Sequence, residues 1–106
     1  MIFKLTTAVV PGNGQFSGPI TSTAMNTVTT LVVSPVDVSD ANTVAFITYL
    51  IGNNILISEQ NNINNFGHYT IVSYVIKAGG GYTLTLTPLA GNGNFEVNKF
   101  YDFALF

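Results

Sequence analysis

Three features predict a mainly β protein: a small five- or six-stranded antiparallel barrel or sandwich with one short helix. Residues 82–87 alternate strictly, with Tyr82, Leu84 and Leu86 on one side and Thr83, Thr85 and Thr87 on the other, the period of a half-buried strand. Glycine- and asparagine-rich stretches such as "PGNGQF" and "AGNGNF" punctuate the chain, as turns between short strands do. Only one segment, roughly residues 40–51, spaces its apolar residues for a helix. At 106 residues the chain holds one domain, residues 1–106, with one core.

Taken in order, a first strand begins at Ile2 and a second is expected at residues 27–33, "TVTTLVV", which is rich in β-branched residues. In "SDANTVAFITYLIGNN", Ser39 or Asp40 is placed to cap a helix. Val44, Ile47 and Ile51 recur on one face, and Gly52 supplies a left-handed stop. Asn42, Thr43, Val44 and Thr48 disfavour helix, so tertiary contacts must hold it. Asp37 and Asp40 flank the helix start, where acids favour the dipole. "NILIS", residues 54–58, reads as another strand.

Residues 58–67, "SEQNNINNFG", read as an asparagine-rich loop whose Ile63 and Phe66 either tuck inward as staples or face a partner. Residues 68–77 and 82–87 then form a hairpin across three glycines, and Pro88 is expected to end it. After the second GNG, Phe95, Val97, Tyr101, Phe103 and Leu105 alternate with polar residues in one carboxy-terminal strand. Phe100 and Phe106 fall on its polar face, where they either cover an edge of the same barrel or meet a neighbouring subunit.

The GNG pair is not a phosphate loop. A dinucleotide fingerprint needs a glycine where Ser17 and Glu96 stand, and no Gly-Lys-Ser or Gly-Lys-Thr follows either copy. Tight reversals before an anchoring aromatic account for both. His68 is the only histidine and the chain has no cysteine, so no multi-histidine or thiolate metal site can form, and the scattered acids have no ligand spacing. A hydrogen-bonded structural role is expected for His68. A serine-histidine-acid hydrolase lacks its nucleophile-elbow sequence. The expectation is no catalytic residue, no metal and no cofactor.

Charged residues are 8% of the chain, against about 25% in an ordinary domain. With no arginine, and Lys4, Lys77 and Lys99 as the only lysines, no surface can neutralise several phosphates, so nucleic-acid and anionic-membrane partners are not expected. No stretch approaches the roughly 20 apolar residues of a membrane span, and "MIFKLTTAVVPG" lacks the core of an export signal. A net charge of −2 gives little protection against self-association, which predicts a homo-oligomer whose neighbours cover its strand edges.

The ordered motifs "GQF", "TTLVVSPVD", "AFITYLIGNNILIS", "FGHYTIVSYV", "GYTLTLTPLAGNG" and "FYDFALF" resemble small all-β modules of tailed-bacteriophage structural proteins, of the tail-fibre, collar or capsid-decoration type. The resemblance covers nearly the whole chain and contains no catalytic signature. It departs at Asn53, where such modules commonly have Asp after the helix glycine. It implies a non-enzymatic virion protein that assembles with itself and with other virion proteins. Its alternative is a receptor-binding module that recognises a cell-surface glycan, with Tyr69 and Tyr74 among the aromatics available to stack on a sugar.

Overall fold

A computed structural model describes all of residues 1–106. Nine strands form: β1 (Ile2–Leu5), β2 (Gln15–Ser17), β3 (Thr23–Ala24), β4 (Thr30–Val33), β5 (Asn54–Glu59), β6 (Asn62–Ile76), β7 (Tyr82–Asn92), β8 (Asn94–Phe95) and β9 (Phe100–Leu105). Seven of them close a barrel in the order β1-β2-β4-β7-β6-β5-β9, while β3 and β8 pair as a separate ribbon. The expected five or six strands are thus exceeded, and the barrel is not wholly antiparallel, because β1 and β2 run parallel. Alternation reports which face a residue occupies and carries no record of a neighbour's direction.

Closure bears on the predicted exposed edges. β9 pairs with β1 through Ile2–Asp102, Phe3–Tyr101 and Lys4–Phe100, so the barrel's edges are satisfied by the chain itself.

The helix, α1 (Val44–Tyr49), is shorter than predicted. Ser39 and Asp40 do not cap it. The Asp37 carboxylate instead accepts hydrogen bonds from the Ser39 amide (3.0 Å), the Ser39 hydroxyl (2.7 Å) and the Ala41 amide (3.2 Å). Asp40 is left-handed at φ 65°, which interrupts any helix beginning there. The first orphan amide, that of Val44, is satisfied by Asn42 Oδ1 at 3.0 Å. Ile47 and Leu50 enter the core, and Gly52 provides the expected stop at φ 81°.

Three further boundaries move. Residues 58–67 are no open loop: β5 turns at Gln60–Asn61 directly into β6, and the register slips between Ser58 and Glu59. Pro88 does not end β7. It lies opposite Tyr69 beside a bulge, since His68 pairs with Ala90 and Leu89 is left over, and a bulge tolerates a residue without an N–H. The single strand expected over 95–105 is two, β8 and β9, separated by a turn at Val97–Asn98 with Asn98 at φ 72°.

Eighteen apolar side chains fill the interior, as a barrel of this size requires. Phe16, from the strand after the first GNG, meets Phe95, from the strand after the second, edge to face at 5.9 Å. Phe16 also packs edgewise on Tyr101 (5.7 Å) and Phe103 (5.1 Å), and Phe103 on Phe3 (5.2 Å). In the first GNG, Gly12 accepts from the Gln15 amide at 3.1 Å and Gly14 takes φ 73°, a tight reversal of the kind expected. In the second copy, Gly91 remains in β7 and the chain bends at Gly93.

Candidate interaction surface

The interior offers no ligand chamber. Tyr69 crosses it, fully buried, and its hydroxyl donates to the Met25 carbonyl. Gly67 and Gly91, paired across β6 and β7, leave the space this needs: a Cβ on Gly67 would collide with the Tyr69 ring, and one on Gly91 would stand 3.0 Å from the Asn26 amide nitrogen. Four depressions of about 240–390 Å³ all open on the outside.

No constellation of reactive groups forms. There is no cluster of three or more metal-ligating side chains. His68 hydrogen-bonds to no serine and no carboxylate; its Nε2 is buried without a partner, and the Phe106 ring packs on it at 4.2 Å between centroids. The expected hydrogen-bonded histidine is instead a packing residue. Tyr69 and Tyr101 are the two phenols shifted upward. Burial raises both, and for Tyr101 it outweighs the hydrogen bond from the Glu96 amide (2.7 Å), while Glu59 and Glu96 add to the rise, to about 12. The Asp37 carboxyl is held below its usual value, chiefly by the Ser39 hydroxyl.

The outer wall is the unusual surface. Strand register sets Ala104, Leu56, His68 and Ala90 in one outward row across β9, β5, β6 and β7, and Ile2, Asp102, Ser58, Phe66 and Asn92 in the next. Phe106 covers His68 and is 69% exposed. Ile63, 67% exposed, lines a 390 Å³ groove that also includes Ile2 and Asp102, which joins it to the same wall. Of the four residues singled out in the sequence, Phe66 and Phe106 lie on this wall, and Ile63 lines the groove at its border. Neither Ile63 nor Phe66 is an inward staple. Phe100 lies one row beyond, 39% exposed, with the Lys4 ammonium 5.8 Å from its ring.

A second apolar area was not foreseen. Val9, Ile20 and Val32 surround a 290 Å³ depression with Lys77 on its lining. Val75 shares a strand row with Thr83 and Val32 and is 65% exposed. Its signal was present as the unbroken apolar run "YVI" at 74–76, in which an outward residue is as apolar as its neighbours.

The asparagines of 61–65 divide by role. Asn65 acts as a peptide group: its Nδ2 donates to the Asn94 carbonyl (2.7 Å) and to Glu59 (3.1 Å), and its Oδ1 accepts from the Asn94 amide (2.7 Å). Gln60, Asn61 and Asn62 make no side-chain hydrogen bond within the chain and line the Ile63 groove. Tyr69 is sealed from any sugar, and Tyr74 packs on Tyr82 at 5.6 Å. No helix is long and apolar enough to cross a membrane.

Comparison with protein-family models, curated proteins and solved structures finds no match in any of the three.

Proposed function

We propose that this chain is a non-enzymatic structural module of a virion, assembling through the outer wall of its barrel with copies of itself and with other proteins of a capsid, tail or fibre. The observation that carries the assembly reading is the exposure of Phe106, Ile63, Val75, Val9 and Ile20 on a chain with 8% charged residues. Apolar rows of this kind on a sheet exterior are stabilised when a partner removes them from water. The virion assignment is supported by the ordered sequence motifs that resemble phage structural modules.

Sedimentation across a wide concentration range, together with co-sedimentation on capsid or tail assemblies, tests this reading. Concentration-dependent oligomers or retention on the assemblies are expected. A chain that stays monomeric at high concentration and binds neither would overturn it.

A second reading has its own observation: the groove lined by Gln60, Asn61 and Asn62 presents amides without internal partners beside apolar Ile63, a chemistry suited to sugar hydroxyls. Binding on a glycan array that is lost in Asn62→Ala would support a receptor-binding module. An array without hits would remove it.

A further inference from the structure

We propose that a second copy of this chain adds its β6 to the free end of β6 in the first, strand against strand across a two-fold axis at Val75. The inference rests on the self-assembly reading and adds a main-chain contact to it. β6 outruns its neighbour, because β5 pairs with it only between Asn62 and Thr70. The last bonds on that side belong to Ile71, whose amide donates to the Asn53 carbonyl (3.0 Å) and whose carbonyl accepts from the Gly52 amide (2.7 Å). Val72 is then left over in a bulge, which bends the strand, and residues 73–76 run on with β7 alone.

Ladder alternation identifies the unmet groups. The Leu86 amide donates to the Thr29 carbonyl (2.8 Å), so Leu86, Leu84 and Tyr82 turn their peptide groups toward β4, while Thr85 and Thr83 turn theirs toward β6. The Lys77 amide, donating to the Gly81 carbonyl (3.0 Å), keeps the same phase. Ser73 and Val75 therefore bond to β7, whereas the N–H and C=O of Tyr74 and Ile76 face outward, where the chain supplies no partner. These groups complement their own copies. With Val75 opposite the partner's Val75, Tyr74 stands opposite the partner's Ile76 and Ile76 opposite the partner's Tyr74, and each such pair exchanges two hydrogen bonds.

Side chains select a second copy from among possible strands. Ile76 shares the inner-face row of Tyr82 yet lies past the end of the core, 71% exposed. In this register the partner's Tyr74 ring covers it, and the exposed Val75 meets its own copy on the outer face. No charge and no proline lies within residues 72–76 to guard the edge. Lys77 comes opposite the partner's Ser73, so the two lysines stand at opposite ends of the paired stretch. One short strand pair hides less than the about 800 Å² per partner of a standard interface. The contact is therefore weak in free solution and strengthens where copies are already held side by side.

Amide exchange followed by NMR tests this, in the wild-type chain up to about 1 mM, where millimolar contacts become visible. Protection of Tyr74 and Ile76 is expected to rise with concentration, while that of Val75, already bonded to Thr83, stays constant. Ile76→Pro removes an outward N–H without breaking the β7 ladder, and is expected to abolish the rise at Tyr74. Val75→Lys and Val75→Glu each set like charges face to face at the axis and are expected to associate about fivefold more weakly than wild type. Their equimolar mixture opposes unlike charges and is expected to recover the association. Circular dichroism and the unfolding midpoint establish that the variants fold. Unchanged protection at Tyr74 and Ile76 overturns the inference, and so does a mixture that associates no more tightly than its components. A wild-type chain that self-associates without that protection leaves the assembly reading standing, whereas one that neither self-associates nor binds capsid or tail assemblies overturns both.

Discussion

Tyr69 shows how one side chain organises its neighbourhood. It reaches the Met25 carbonyl only because Gly67, two residues earlier on the same inward face, has no side chain. Gly67→Ala therefore overpacks the interior and should lower stability by about 1–3 kcal/mol, read as a fall in the urea midpoint without a change in slope. Tyr101 adds a pH dependence. Its folded pKa lies near 12, above the ordinary value of 10, mainly because burial disfavours the phenolate. A raised pKa means that the neutral form is favoured by folding, so its contribution is complete below about pH 10 and declines as pH rises through about 12. Denaturant midpoints measured from neutral to strongly alkaline pH should hold and then fall in that window, and Tyr101→Phe should flatten part of the fall.

At the scale of elements, the β3–β8 ribbon has little of its own to hold it, with two residues in each strand. Asn65 supplies what the ladder lacks by bonding both backbone groups of Asn94. Asn65→Ala should expose the Asn94 amide to exchange and cost about 1–3 kcal/mol through unmet polar groups, whereas Asn61→Ala, in the unpartnered turn, should leave exchange there unchanged. Hydrogen exchange followed residue by residue distinguishes the two. The helix illustrates the opposite balance. Its propensity is poor, and what holds it is the burial of Ile47 and Leu50.

For the whole molecule, inner and outer walls should respond differently to substitution. Phe16→Ala removes a ring that meets three other aromatics and should cost about 3–5 kcal/mol. Leu56→Asn, on the outer wall, should change the unfolding free energy by no more than about 0.5 kcal/mol while reducing self-association measured by sedimentation. Unchanged self-association in Leu56→Asn would mean that this part of the outer wall is no interface.

Local chemistry made much of this protein readable in advance. Alternation at 82–87 reports burial because successive side chains in a strand face opposite sides, and Gly14 and Gly52 mark reversals because their backbone angles suit glycine. Phe100 and Phe106 stood out as apolar residues on the polar face of the last strand, whereas the sequence left the direction of Phe66 open. The parallel pairing of β1 with β2, the closure of β9 on β1, the passage of β7 through Pro88 and the gathering of Val9, Ile20 and Val32 were not legible. These depend on which segments become neighbours across long stretches of chain. Periodicity records a residue's side, and only the packed barrel settles who stands beside it.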